Sequence, residues 1–157
     1  MEPLLALMPD EPSHREPTET QLQDLNIGLD WFLQNFVFLA NRLEIQLALT
    51  LHTHGLLVSG NLISGRQYMN RCEAELNAGG ANGSFAAVFD AARNNAYPEV
   101  DRELPLAPGE ANPSFVHLKD ARFFHNSGEP IPANQSVLWR GRISEISGFS
   151  FGFLSED

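Results

Sequence analysis

Cysteine is almost absent from this 157-residue chain, which has only Cys72. A single cysteine excludes an intramolecular disulfide and a zinc site built on several cysteines, and it is typical of a reducing compartment. Long apolar runs are also missing, since none approaches the roughly 18–20 residues of a membrane-spanning helix. Residues 1–17 lack the basic start and apolar stretch of a secretion signal. These absences predict a cytoplasmic protein. At about 100–200 residues per domain, the length of the chain predicts one domain.

Basic residues are scarce as well. Lysine and arginine number 10 against 20 acidic residues, so the formal net charge is −10. A charge of this sign repels phosphate backbones and acidic membrane surfaces. We therefore expect no membrane partner, and the composition disfavours nucleic acid as a partner except at a local basic site.

The clearest pattern in the chain is an alternation of apolar and polar residues over positions 43–51. A period of two is typical of a strand with one face in a core. A second apolar run follows at positions 56–63 and contains Gly60, where a bulge or a tight bend is expected. The two runs predict a bent hairpin with Leu49 in the core and Thr50 on a polar face.

The chain before the hairpin starts with a segment rich in proline. We expect this segment, residues 1–17, to form a disordered arm, and residues 18–154, which include the hairpin, to form one domain. Thr18 and Gln21 match a capping box, which predicts the start of a helix. The core-facing stripe of this helix comprises Leu22, Leu25, Leu29, Phe32, Leu33, Phe36 and Ala40. Trp31, Val37 and Phe38 widen the apolar arc, so we expect the helix to be covered on a second side.

The remainder predicts an insertion followed by more strands. At residues 66–113 we expect two short amphipathic helices and then an acidic loop rich in proline. Strand patterns return at 114–125 and 135–146 and continue to the C-terminal aromatic residues. The chain therefore predicts an α+β fold, in which an N-terminal helix packs on a bent antiparallel sheet of about five strands, approaching a small barrel, with the two-helix insertion after the second strand.

No pattern points to catalysis. His52 and His54, with His117 or His125, could offer nitrogen ligands to a metal, but no carboxylate or thiol is spaced to complete the site. Cys72 has no recognisable partner base. We predict no catalytic, cofactor-binding or metal-binding residues, and so a protein that is not an enzyme.

The arginines of Trp139-Arg140-Gly141-Arg142 form a local basic site. Their spacing puts Arg140 and Arg142 on one face of a strand, with Trp139 on the other. Two guanidinium groups side by side suit the recognition of carboxylate or phosphate. The alternative is that they pair with the acidic stretch 99–110 of the same chain, and both interpretations remain open at this point.

The run Phe149-Ser150-Phe151-Gly152-Phe153 places three aromatic residues on one strand face. This face is core if the strand closes the sheet, and it is a site for self-association or strand addition if the strand lies at an open edge. We predict a homo-oligomer, most simply a dimer. The candidate partner-binding residues are Trp31, Phe38, Arg140, Arg142, Phe149, Phe151 and Phe153.

Three segments carry a resemblance to a known family. They are Leu-Val-Ser-Gly-Asn-Leu-Ile-Ser-Gly-Arg-Gln-Tyr (57–68), Phe-Val-His-Leu-Lys-Asp-Ala-Arg-Phe-Phe (115–124) and Leu-Trp-Arg-Gly-Arg-Ile-Ser-Glu-Ile-Ser-Gly-Phe (138–149). Behind a leading helix, their combination resembles the gas vesicle accessory protein U family. The resemblance implies a non-enzymatic role in the formation, assembly or clustering of gas vesicles in the bacterial cytoplasm, with other gas vesicle proteins as partners.

A second resemblance concerns the fold. A helix, a bent hairpin, the dipeptide Met69-Asn70 and later the dipeptide Arg140-Gly141 are similar to the Sm-like barrel. In that family such dipeptides bind RNA bases in a ring, which makes an Sm-like RNA-binding ring the alternative function. Here residues 66–113 separate the two halves, so we expect the fold to be shared more readily than the function.

Overall fold

The computed structural model describes residues 29–105, 112–125, 129–132 and 134–154. In these ranges the helices are α1 (Trp31–Leu43), α2 (Gly65–Leu76) and α3 (Ala86–Ala91), and α2 and α3 each continue into a π-helical turn (Asn77–Ala81 and Ala92–Ala96). The strands are β1 (Leu47–Thr53), β2 (Leu56–Ile63), β3 (Phe115–Phe124), β4 (Pro130–Ile131), β5 (Val137–Arg142) and β6 (Gly148–Phe151). The predicted α+β class and the two helices after the second strand are confirmed.

Helix α1 begins later than the sequence predicts. Asp30 is its N-cap, with extended backbone angles, and its carboxylate accepts hydrogen bonds from the N–H groups of Phe32 and Leu33 at 2.9 and 3.1 Å. A single helix running on from Thr18 is therefore wrong, because the helix starts afresh at Trp31. The predicted arm at residues 1–17 and the capping box at Thr18 lie outside the described residues.

The buried side of α1 is also rotated from the predicted stripe. Leu33, Val37 and Ala40 are fully buried in the hydrophobic core, whereas Phe32, assigned to the stripe, is 45% exposed. Gln34, expected off the stripe, is almost fully buried and donates a hydrogen bond from Nε2 to Pro113 O at 3.0 Å. The core forms where this side of α1 meets the leucines and valines of β1, β2 and β3.

The predicted hairpin is confirmed as β1 and β2. The strands pair in register from Leu47 opposite Leu62 to Thr53 opposite Leu56, and His54 and Gly55 make the turn with positive φ angles. The expected irregularity at Gly60 is present, because the pairing of β2 with β3 shifts register there. A Cβ at Gly60 would lie 2.9 Å from the carbonyl oxygen of Lys119, so only glycine fits this close approach.

The sheet is antiparallel and open. Its strand order is β4-β3-β2-β1-β6. β5 and β4 both pair with the side of β3 that faces away from β2. β5 and β6 therefore lie at opposite edges, although the 3-10 turn Ile143–Glu145 and two further residues are all that connect them. The amide of Ile143 binds Ser114 O and the amide of Ser147 binds His52 O, both at 2.9 Å. This short connection bends the sheet without closing it within the described residues.

The second face of the hairpin is not the polar surface that we expected. Thr50 is 3% exposed, and its hydroxyl donates to Gly152 O at 2.9 Å and lies 3.2 Å from the hydroxyl of Ser59. The Ser59 hydroxyl in turn accepts a hydrogen bond from the Leu154 amide at 2.8 Å. The predicted exposure of Thr50 is wrong because the chain after β6 folds back over it.

Candidate functional site

Five aromatic side chains from α1 and β6 form one continuous cluster, which we call the aromatic surface (Trp31, Phe32, Phe36, Phe149 and Phe151). Ring centroids are 5.7 Å apart for Trp31 and Phe32, 5.0 Å for Phe32 and Phe36, and 5.2 Å for Phe36 and Phe151. Phe149 contacts Phe32 at 5.9 Å and Phe151 at 5.7 Å. Most of these pairs meet edge to face, the arrangement that the charge distribution of aromatic rings favours.

The sheet register explains how β6 reaches this cluster. Phe149 pairs with Leu51 and Phe151 pairs with Leu49. Residues directly opposite in neighbouring strands share a sheet face, and both leucines are fully buried in the core. The two phenylalanines therefore continue the core face outward past β1, where Phe32 and Phe36 on successive turns of α1 pack against them.

The aromatic surface is only partly covered. Trp31, Phe32 and Phe151 are 39%, 45% and 55% exposed. Since an aromatic side chain buries about 150–250 Å² when it is fully covered, these three together expose on the order of 300 Å². A contiguous apolar patch of about 300–600 Å² is the largest that a typical monomer shows, and such patches are often functional.

Of the seven predicted contact residues, the structure brings Trp31, Phe149 and Phe151 together and places the others elsewhere. Phe153 does not share their strand, because β6 ends at Phe151 and Gly152 has a φ of +98°. The expected row of three aromatic residues is therefore a row of two, followed by an exposed Phe153. Phe38 is half-buried on α1 and makes no ring contact with the aromatic surface within the described ranges.

Arg140 and Arg142 share a strand face, as their spacing predicts. The Arg140 guanidinium lies 3.5 Å above the centre of the Phe115 ring, and that of Arg142 lies 6.0 Å from it. In the part of the chain that the structure describes, neither arginine lies within ion-pair distance of a carboxylate, and Glu99 pairs with Arg66 at 3.2 Å. Internal pairing with the described part of the acidic stretch is thus not seen; residues 106–111 lie outside the described residues.

Arg140 is positioned by His117, a residue that the sequence does not single out for this role. His117 is fully buried, and its Nε2 accepts a hydrogen bond from Arg140 Nε at 3.1 Å. The rings of Tyr68 and Tyr97 pack on it at 4.7 and 5.3 Å. Burial, and secondly the charge of Arg140, lower the pKa of His117 from 6.5 to about 3. A neutral imidazole therefore accepts a hydrogen bond from Arg140 Nε, while Arg140 itself is exposed.

The remaining titratable candidates are dispersed. His52 is exposed on β1, and His54 in the hairpin turn lies 2.8 Å from Glu145. Cys72 lies beside Tyr68 on α2, and burial raises the pKa of the thiol, while burial and the Cys72 contact raise the pKa of Tyr68 to about 12. The described ranges hold no group of three histidine, cysteine or acidic residues arranged to bind a metal. They also hold no helix long and apolar enough to cross a membrane.

The two residues that the Sm-like resemblance assigns to an RNA pocket have separate partners. Asn70 lies on α2, where its side-chain oxygen accepts a hydrogen bond from Arg93 at 3.2 Å. Arg140 lies on β5 against Phe115 and His117. No described contact joins Asn70 and Arg140, so the geometry offers no specific support for base recognition by this pair.

Comparison with known proteins identifies the family. The family model described as "Gas vesicle protein GvpU-like" matches residues 30–154, which is most of the chain and includes every described element. Neither the curated proteins nor the solved structures compared with the chain give a significant match. The match begins at the N-cap of α1 and ends just after β6, so it covers both elements that build the aromatic surface. The chain belongs to the gas vesicle protein GvpU-like family.

Proposed function

We propose that the protein is a non-enzymatic accessory protein of bacterial gas vesicles that acts in the cytoplasm through protein–protein contacts at its aromatic surface. The observation that carries the proposal is a partly exposed cluster of five aromatic rings on α1 and β6 in a member of a gas vesicle family. Tryptophan and other aromatic residues are the usual energetic centres of protein interfaces. The favoured partners are other gas vesicle proteins and further copies of this chain.

Flotation of purified gas vesicles tests this proposal directly. Protein mixed with intact vesicles should rise with them on centrifugation. Trp31→Glu should raise the dissociation constant about tenfold or more, since a central aromatic contact contributes about 1.4 kcal/mol or more. Val88→Glu is the matched control, because Val88 is an exposed apolar residue on α3, outside the aromatic surface. Equal flotation of the Trp31→Glu and wild-type proteins would rule out this surface as the vesicle contact.

Complementation of a strain that lacks the gene separates formation from clustering. Electron microscopy counts the vesicles and measures how they are grouped in cells that carry the wild-type protein, Trp31→Glu or Val88→Glu. We expect Trp31→Glu to behave like the deletion and Val88→Glu like the wild type. Full complementation by both variants, at wild-type protein levels, would contradict the proposal.

We further propose that Arg140 and Arg142 contact a carboxylate of the partner. Support comes from their position at the Phe115 ring, from their exposure, and from the His117 hydrogen bond, which engages Arg140 through Nε. Arg140→Lys keeps the charge but loses the planar fork, so it should weaken flotation while Arg71→Lys, an exposed arginine on α2, should not. Wild-type flotation of Arg140→Lys and of Arg142→Lys would remove these residues from the contact.

A further inference from the structure

β5 and β6, which lie at opposite edges of the sheet, differ in their chemistry. β5 carries Arg140 and Arg142, and charges on an edge strand discourage pairing with another chain. β6 has the sequence Gly-Phe-Ser-Phe, without charge or proline, and pairs only with β1 among the described strands. The edge of β6 therefore lacks the features that usually protect an open sheet.

The outward groups of β6 can be assigned from one hydrogen bond. The Gly152 amide donates to Ala48 O at 2.9 Å, which continues the register in which Ser150 lies opposite Thr50. Hydrogen-bonded and non-bonded pairs alternate along an antiparallel ladder. Ser150 and Gly152 therefore direct their backbone groups to β1, and Phe149 and Phe151 direct their N–H and C=O groups to the open edge.

We infer that β6 pairs with β6 of a second copy, antiparallel about a two-fold axis at Ser150. In this register Phe149 of each copy lies opposite Phe151 of the other, so all four outward groups on each strand bond reciprocally. The serines face each other in the central non-bonded pair, with Cα atoms about 4.5 Å apart. A two-fold axis makes one self-complementary strand sufficient for the interface.

The aromatic surface favours a second copy as the occupant of this edge. Cross-strand neighbours share a sheet face, so pairing places the phenylalanines of both copies side by side and joins two aromatic surfaces on one face of a continuous sheet. An uncharged strand with aromatic residues two positions apart complements this edge, and β6 itself is such a strand. The exposed area of about 300 Å² per copy is below the roughly 800 Å² per partner of a standard interface, so we expect a weak dimer that forms at high protein concentration.

The dimer extends the proposed function. It rests on that proposal in one respect, because both use the aromatic surface as a contact surface. Two joined surfaces would bind a repetitive partner with higher avidity than one. The tests of the dimer need no gas vesicles. A failure of the dimer thus leaves the flotation result standing, and a failure of flotation leaves the dimer standing.

Cysteine cross-linking tests the predicted axis. In a Cys72→Ser background, Ser150→Cys should form an intermolecular disulfide under mild oxidation at least tenfold faster than Ser144→Cys, because the Cα separation at the axis lies within the disulfide range of about 4.4–6.8 Å. Ser144 is the matched control, since it is equally classed as exposed and lies in the turn before β6. Equal cross-linking rates would overturn the proposed axis.

Light scattering of the full chain in the tens of micromolar range gives the second measurement. We expect a dimer that Phe151→Lys dissociates and that Val88→Lys leaves intact; both side chains are more than half exposed, so both variants should fold. Added salt should favour the dimer, because each copy carries a formal charge of −10. A wild-type monomer, or a dimer unaffected by Phe151→Lys, would refute the inference.

Discussion

Acid should destabilise this protein through one residue, His117. Its imidazole is fully buried between Tyr68 and Tyr97, accepts a hydrogen bond from Arg140 and is neutral because its pKa is about 3. In the unfolded chain the pKa returns to 6.5. Between these two values the unfolded state binds a proton that the folded state does not, so the free energy of unfolding falls as the pH falls.

The size of the effect follows from the two pKa values. Lowering the pKa from 6.5 to about 3 corresponds to about 5 kcal/mol between the two protonation states. The full stability is present above pH 6.5, about 2 kcal/mol is lost by pH 5, and the loss is complete below pH 3. For a domain of this size, 2 kcal/mol corresponds to a decrease in Tm of about 4–8 °C.

Urea unfolding from about pH 7.5 to about pH 4.5 measures the effect, with His117→Gln as the perturbation. Glutamine is uncharged over this range and retains an acceptor for Arg140, so the variant should lose stability at neutral pH through poorer packing but depend less steeply on pH. All other side chains are the same in both proteins, so the difference between the two curves isolates His117. His52→Gln, which removes an exposed histidine from β1, should follow the wild-type curve.

A parallel loss of stability in the two proteins would contradict this role of His117. If the wild-type protein and His117→Gln lose stability in parallel between pH 6.5 and pH 5, then His117 takes up a proton in the folded state without cost. In solution, His117 would then not be buried and hydrogen-bonded to Arg140 as it is in the structure. The imidazole would also not be the neutral group that positions Arg140 on β5.

Three further predictions concern stability and reactivity. Leu49→Asp buries an unpaired carboxylate in the core and should cost several kcal/mol in urea unfolding. Thr50→Asp should be destabilising as well, since Thr50 is buried and donates a hydrogen bond to Gly152 O. A soluble, cooperatively unfolding Leu49→Asp protein of wild-type stability would contradict the strand register. Cys72 should react more slowly with a thiol reagent at about pH 8 than it does in urea, because burial raises its pKa; equal rates would show an accessible thiolate. Gly65→Ala should cost about 1–3 kcal/mol, because the new Cβ would overlap the Tyr97 ring, and less in a Tyr97→Ala background; equal costs in both backgrounds would exclude this clash.

The sequence predicts the elements whose cause is local. The hairpin follows from its alternation, its turn and Gly60, and α2 follows from its helical spacing and the glycines after it. The break before α1 could not be predicted, because the apolar periodicity runs past Asp30 without interruption. Asp30 caps the helix with its carboxylate, and the periodicity gives no sign of this.

The arrangement around Arg140 could not be predicted, because its parts are distant in the chain. Tyr68 lies on α2, Tyr97 follows the π-helical turn after α3, and His117 and Arg140 lie on β3 and β5. Each looks unremarkable in its own segment. Only the pairing of β3 with β5 sets His117 opposite Arg140. The spacing of Arg140 and Arg142 predicts their shared face, but it says nothing of the buried acceptor that holds one of them.

The aromatic surface shows the same division between local pattern and long-range pairing. Alternation correctly puts Phe149 and Phe151 on one face, and it leaves open whether that face lies inside the sheet or at its edge. The structure places this face at the edge, because β6 pairs with β1 and with no other described strand. The consequence is chemical as well as geometric, because the edge with arginines discourages pairing, whereas the edge with exposed rings and unprotected backbone groups favours it. The proposed contact surface therefore lies where the core face extends beyond the helix that covers it.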